Sequence, residues 1–148
     1  AWLSPKDKTA ETEIALNQLA TGLDSFSDSL ANRGVKLAVL HGNPFAREAY
    51  CKPSVAVKQW FQPFNDSCKL PDRSESLVRR DGLDRVLKAL EKKGKIRIVD
   101  LFDVFCPSNR CTYNAANDEL LYRDEYSHPS VEAARLSAPV IRQVLTSP

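Results

Sequence analysis

The sequence contains no methionine and no long hydrophobic run, which argues against a translation start at Ala1 and against a membrane span. Because methionine is absent, Ala1 is not a translation start, and we expect the chain to be a processed product or a piece of a longer protein. No run of about 18 apolar residues occurs and no signal peptide begins the chain, so no membrane span is predicted. Basic residues number 21 and acidic residues 19, so the charge balance offers no argument for a nucleic-acid partner.

The composition is that of one globular domain, which we predict over residues 1–148. Hydrophobic periodicity predicts helices and strands that alternate along the chain. The predicted helices cover Thr9–Asn32, Ser74–Lys93 and Val131 to about Leu145, with a shorter one near Val55–Phe61; the predicted strands cover Val35–Leu40 and Ile96–Leu101, with a shorter one over Leu120–Arg123. This alternation predicts an α/β fold with a mostly parallel sheet, whose site lies beyond the carboxyl ends of the strands.

Four cysteines occur, and none of them forms a C-x-x-C motif, so thioredoxin-type redox chemistry has no support. An even number of cysteines is typical of disulfides in an oxidising compartment. We expect two local disulfides, Cys51–Cys68 and Cys106–Cys111. Free thiols and a metal site are the alternatives, but the spacing does not match that of zinc ligands, and no metal is predicted.

The segment Tyr122–Ser130 has the sharpest combination of reactive groups. Asp124 and Glu125 precede His128 by four and three residues, directly before a predicted helix. A histidine acts as a general base where a carboxylate fixes its tautomer and a hydroxyl group lies within reach. The alternative interpretation is a helix-capping turn with a surface histidine.

Two further residues are candidates for substrate binding. Asn43 follows the first predicted strand, where its amide could donate to an oxyanion, although its position before Pro44 favours a role in a turn. Trp60 lies in an aromatic segment between the first two cysteines and could stack on sugar rings. Its alternative role is to anchor a small core within that loop.

Several segments together resemble an SGNH-hydrolase-type domain, and they are similar to the extracytoplasmic SGNH domain attached to acyltransferase-3 membrane proteins. The resemblance lies in Val99-Asp100, the Cys106–Cys111 loop, Leu121-Tyr122-Arg123-Asp124 and His128-Pro-Ser-Val-Glu-Ala-Ala-Arg-Leu. Earlier matches are Ala1-Trp2, Gly34–Leu40, Asn43-Pro44 and Cys51. The resemblance therefore covers nearly the whole chain.

The resemblance implies a three-layer, flavodoxin-like fold that lacks its first strand, and a site in which His128 is the general base. The family spacing selects Glu125 as the partner of His128, whereas the Tyr-x-Asp context selects Asp124. One residue is inserted in this loop, and Pro129 replaces the family's leucine. No Gly-Asp-Ser block occurs, so the family's nucleophilic serine would precede Ala1.

The resemblance also implies a function, which is transfer of an acyl group, usually acetyl, to a cell-envelope glycan through a serine ester. The implied partners are the glycan acceptor, the acyl donor and the membrane acyltransferase domain of the same parent protein, with no cofactor. The implied location is the periplasmic or extracellular face of the membrane. The alternatives are a secreted carbohydrate esterase and a catalytically silent glycan-binding or interaction domain. Whether this chain is itself an enzyme stays open, because the serine block is absent.

Overall fold

A computed structural model describes residues 5–44, 52–53 and 70–147, with side chains described from residue 11 onward. Several predicted features lie outside these residues: Ala1-Trp2, the short helix near Val55–Phe61, the side chain of Trp60 and the disulfide Cys51–Cys68.

Helices and strands alternate within the described residues, as the periodicity predicts. The elements are α1 (Pro5–Ala31), β1 (Leu37–Leu40), α2 (Arg73–Lys92), β2 (Ile96–Val99), the single turn α3 (Phe102–Phe105) and α4 (Val131–Thr146). Strands β1 and β2 pair in parallel, and α2 belongs to the connection between them. The predicted α/β class with a parallel sheet is therefore confirmed.

The ends of the helices follow their local sequence. Gly34 and Gly94, with φ of 72° and 70°, take the left-handed conformation just after α1 and α2, where a side chain would be strained. Ser130 caps α4, since its Oγ accepts a hydrogen bond from the Ala133 amide at 3.1 Å. The predicted strand over Leu120–Arg123 is wrong, because this segment forms only the isolated bridges Asn114–Leu120 and Tyr122–Pro129.

The chain divides into two compact units. The first unit contains Ala1–Val39 and Arg79–Ile98, and the second contains Leu40–Val78 and Val99–Pro148. The single-domain assignment over residues 1–148 stays a prediction.

The core of the first unit packs the two long helices against one face of the sheet. Leu87, Leu90 and Ile96 are buried at its centre, and each buried leucine contributes roughly 1.5–3 kcal/mol relative to an exposed one. The partly buried residues around them come from both helices and both strands: Leu23, Leu37, Val39, Leu83, Val86 and Ile98. The two helices approach closely at Gly82, where an added Cβ would lie 2.8 Å from Cδ1 of Leu16.

The core of the second unit forms around aromatic rings and a disulfide. Phe105, Leu121 and Tyr122 are almost completely buried, and the Phe105 and Tyr122 ring centroids lie 5.1 Å apart. Cys106 and Cys111 form the disulfide that we predict for this loop. This unit also contains the loops that follow β1 and β2, which is where the candidate site lies.

The first turn of α2 holds the disulfide loop in place. The Arg73 guanidinium donates to the carbonyl oxygen of Cys106 and pairs with Asp103 at 2.7 Å. The same guanidinium lies 5.0 Å from the ring centroid of Phe102, and the Arg73 amide donates to the Asn109 carbonyl at 3.0 Å. One side chain therefore connects α2, α3 and the loop.

Candidate active site

A short loop between Tyr122 and Pro129 carries the predicted reactive residues. These two residues form an antiparallel bridge, and inside it the Arg123 amide donates to the His128 carbonyl oxygen at 2.8 Å. The Ser127 amide donates to the Asp124 carbonyl at 3.2 Å, and Ser127 has a φ of 61°. A left-handed residue other than glycine costs roughly 1–2 kcal/mol, so this loop holds a strained conformation directly before His128.

The loop brings the side chains of Asp124 and His128 together. Asp124 Oδ2 lies 2.8 Å from His128 Nδ1. The other carboxylate oxygen, Oδ1, accepts hydrogen bonds from the backbone amides of Tyr126 at 3.1 Å and His128 at 3.3 Å. Within the described residues no hydrogen bond joins Glu125 to His128, so the structure pairs the histidine with the acid four residues before it.

The charge state of this pair follows from its hydrogen bonds. The hydrogen bond from the His128 side chain lowers the pKa of Asp124 from 3.8 to about 2. Desolvation of the carboxylate acts in the opposite direction, and hydrogen bonds from the backbone amides of His128 and Tyr126 lower the pKa further. The carboxylate is ionised at neutral pH and can only accept hydrogen bonds. The proton of a neutral imidazole therefore lies on Nδ1, and Nε2 keeps the lone pair that a general base requires.

Asn43 connects the loop after β1 to the loop of the Asp124–His128 pair. Its Nδ2 donates to the carbonyl oxygen of Ser127 at 3.0 Å and to that of Pro44 at 3.2 Å. An oxyanion would have to compete with these two carbonyls for the amide hydrogens. The substrate-binding role of Asn43 stays a prediction, and the structure shows a second role, which is support of the loop.

Tyr122 is a supporting residue that the sequence did not single out. Its hydroxyl group donates to the Pro44 carbonyl at 2.7 Å, and its side chain is almost fully buried. Burial raises the pKa of the Tyr122 phenol well above its ordinary value, so the group stays protonated and donates. The Tyr113 ring meets the Tyr122 ring edge-on at 5.7 Å between centroids. Only the Tyr-x-Asp context could have drawn attention to this residue.

The imidazole of His128 is accessible, with 56% of the side chain exposed. The exposed ring of Tyr126 lies 6.2 Å from it, measured between centroids. Within the described residues no hydroxyl group forms a hydrogen bond to His128. The arrangement supplies an oriented base and leaves the ring open to a reactant.

The remaining candidate residues take no part in this arrangement as far as the structure describes the chain. Trp60, Cys51 and Cys68 lie outside residues 5–44, 52–53 and 70–147. Within those ranges no cluster of three or more His, Cys, Asp or Glu side chains could hold a metal ion. The helices described there also include none that is long and apolar enough to cross a membrane.

Comparison with known proteins gives one match. A family model described as "SGNH domain (fused to AT3 domains)" matches residues 2–143, which is nearly the whole chain. No curated protein and no solved structure matches the sequence.

Proposed function

The chain belongs to the family of SGNH domains fused to AT3 domains, and on that premise we propose that it supplies the general base for acyl transfer to a cell-envelope glycan. The observation that supports this proposal is the hydrogen bond from His128 Nδ1 to the Asp124 carboxylate. This bond orients the imidazole and assigns its basic nitrogen, which are the two requirements of a serine-dependent site.

In the proposed reaction a serine forms and then loses an ester. The 148 residues contain no Gly-Asp-Ser block, and the proposal therefore requires that another segment supply the serine. Nε2 of His128 takes the serine proton as the serine oxygen attacks the acyl carbonyl, and then gives that proton to the leaving group of the donor. Nε2 next takes the proton of a glycan hydroxyl group, whose oxygen attacks the ester. The serine leaves as the new ester forms, and it regains the proton from His128.

Asp124 serves both steps without changing its own charge. The imidazole becomes positively charged each time it takes a proton, and the adjacent carboxylate stabilises that charge. The four hydrogen-bonding contacts of this carboxylate, to His128 Nδ1, two backbone amides and the Arg123 guanidinium, hold it in place. The hydrogen bonds from the His128 side chain and from the backbone amides of His128 and Tyr126 also keep the pKa of Asp124 low enough for the carboxylate to remain ionised.

The proposal includes the partners that family membership suggests. The AT3 domain to which such domains are fused would be the membrane partner. The acyl group would be acetyl, the acceptor a cell-envelope glycan, and the location the periplasmic or extracellular face of the membrane. No cofactor takes part, because the serine ester carries the acyl group.

Exposure of His128 favours a second candidate, which is hydrolysis. Water can reach a half-exposed imidazole, and a carbohydrate esterase would use the same base with water in place of the glycan hydroxyl. The two reactions differ only in the group that attacks the ester, and adding a sugar acceptor to the assay distinguishes them.

The test uses an extended protein, in which the chain is joined to the segment that the proposal requires for the serine. Hydrolysis of a chromogenic acetate ester is compared between this protein and its His128→Ala and Asp124→Asn variants, with Glu125→Gln as the matched control. We expect both site variants to lose most activity and the control to keep it. Equal rates in all four proteins, or no activity in any, would contradict the proposal and favour a binding domain.

A further inference from the structure

Two basic segments that are about 60 residues apart in the sequence meet at the amino ends of the strands of the first unit. One segment is the turn between α1 and β1, and the other runs from the last residue of α2 through the following turn to the second residue of β2. Because β1 and β2 are parallel neighbours, the turns that lead into them lie at the same edge of the sheet. We call this surface the basic edge; it comprises Arg33, Lys36, Lys92, Lys93, Lys95 and Arg97.

A surface groove confirms that the two turns are adjacent. The groove has a volume of about 360 Å³, and residues of both segments line it, including Lys36 from the first segment and Lys95 and Arg97 from the second. Arg33, Lys36, Lys92 and Lys93 are all exposed to solvent. Lys36, Lys95 and Arg97 therefore share one groove, and Arg33, Lys92 and Lys93 are exposed residues close to them along the chain.

Acidic groups compensate this surface only in part. Lys95 Nζ pairs with Asp28 and lies 3.5 Å from the Asp24 carboxylate, so both of these carboxylates form ion pairs with the same lysine. The Glu91 carboxylate accepts a hydrogen bond from the Ile98 amide at 2.9 Å. The carboxyl ends of α1 and α2 add roughly half a negative charge each. Arg97 makes a further interaction and is left out of the count; the other five cations against three carboxylates and two helix ends still leave the surface positive.

The first turn also presents an apolar side chain among the cations. Val35 is 49% exposed, it lines the groove, and it lies between the exposed residues Arg33 and Lys36. Gly34, with a φ of 72°, reverses the chain just before it, so this valine lies near the tip of the turn. Cations around an exposed apolar residue are typical of surfaces that lie on anionic bilayers, where the cations meet phosphates and the apolar group enters the interface.

We propose that the basic edge binds the anionic phospholipid headgroups of a membrane. The charge of the surface, its exposed valine and the fusion of this family to AT3 domains point to a lipid surface as the occupant. This inference uses no residue of the Asp124–His128 pair, so it can be tested independently of the proposed acyl transfer. Binding of the basic edge to headgroups is expected to fix the orientation of the first unit relative to the bilayer.

Sedimentation with lipid vesicles tests the proposal on the purified chain. We expect the protein to sediment with vesicles of phosphatidylcholine and phosphatidylglycerol but not with phosphatidylcholine alone, and rising salt should release it. The variant Arg33→Glu/Lys36→Glu/Lys93→Glu should bind at least about tenfold more weakly. Lys52→Glu/Arg110→Glu/Arg142→Glu makes the same change in net charge on other exposed residues and should retain most of the binding.

Further variants and competitors distinguish the possible outcomes. Val35→Ser changes no charge and should weaken binding to the same vesicles, while circular dichroism checks that each variant is folded. Equal binding by the two triple variants would show a general charge effect and overturn the proposal. Release by inorganic phosphate or glucose 6-phosphate at unchanged ionic strength would also overturn it, because the basic edge would then be a site for small phosphates. Absence of binding to anionic vesicles at low salt would also overturn the proposal.

Discussion

Nδ2 of Asn43 donates a hydrogen bond of 3.0 Å to the carbonyl oxygen of Ser127, a residue 84 positions later in the chain. Ser127 directly precedes His128 and has the left-handed φ that shapes the loop. The loop after β1 therefore supports the backbone segment that carries His128.

Replacing Asn43 by alanine should destabilise the loop between Tyr122 and Pro129, which carries His128. Loss of the bond to Ser127 should lower the free energy of unfolding by about 1 kcal/mol, because the Ser127 carbonyl loses a partly buried donor. Urea unfolding measures this loss. Asn117→Ala is the matched control, since Asn117 makes a 3.0 Å bond to Glu132 on the exposed surface and should change stability by less than about 0.5 kcal/mol. Equal losses in the two variants would contradict a special role for Asn43.

Replacing Asp124 by asparagine should disturb the tautomer of His128. In the native chain the carboxylate requires a proton on Nδ1, and nitrogen NMR of the neutral imidazole should show Nε2 unprotonated. The chain contains only two histidines, which makes the assignment simple. In the extended protein, the same substitution should reduce the rate on the order of a hundredfold or more. An unchanged tautomer in Asp124→Asn would show that another group orients the ring.

The low pKa of Asp124 makes a prediction for acid stability. A group whose pKa is lower in the folded than in the unfolded chain binds fewer protons when folded, so it stabilises the fold above its unfolded pKa. For Asp124 this stabilisation should be complete above about pH 4 and should disappear as the pH falls from 3.8 to about 2. Urea unfolding across this range, with wild type and Asp124→Asn, measures it. The two curves should converge in acid, and a constant separation would contradict the assigned pKa.

Removing the disulfide Cys106–Cys111 should destabilise the second unit. The closed loop is short, so the Cys106→Ala/Cys111→Ala variant should lose about 2 kcal/mol in free energy of unfolding. Both cysteines are buried, and the Ser76 hydroxyl lies 3.4 Å from the Cys111 sulfur. In the native protein the peptide that contains them should resist alkylation until a reductant is added. Alkylation without reductant, together with unchanged stability of the variant, would exclude the disulfide.

The long elements of the fold could be predicted because each depends on a local pattern. The α1 and α2 helices were predicted to within a few residues from apolar spacing, and glycine marks the end of each one. The predicted strand over Leu120–Arg123 failed, because an apolar run indicates burial without indicating a partner strand. Leu121 and Tyr122 are indeed buried, but the backbone there makes only isolated bridges.

The sequence by itself determined which residue types were available: a histidine preceded by two acids, a serine suited to cap the following helix, and six cations in two short segments. Only the tertiary structure decided that Asp124 is the partner of His128, because the choice depends on the left-handed turn at Ser127. It also decided that Asn43 supports that turn and that the two basic turns share one edge. These decisions rest on hydrogen bonds and strand pairing between distant segments, and the spacing of residues along a chain carries no information about such contacts.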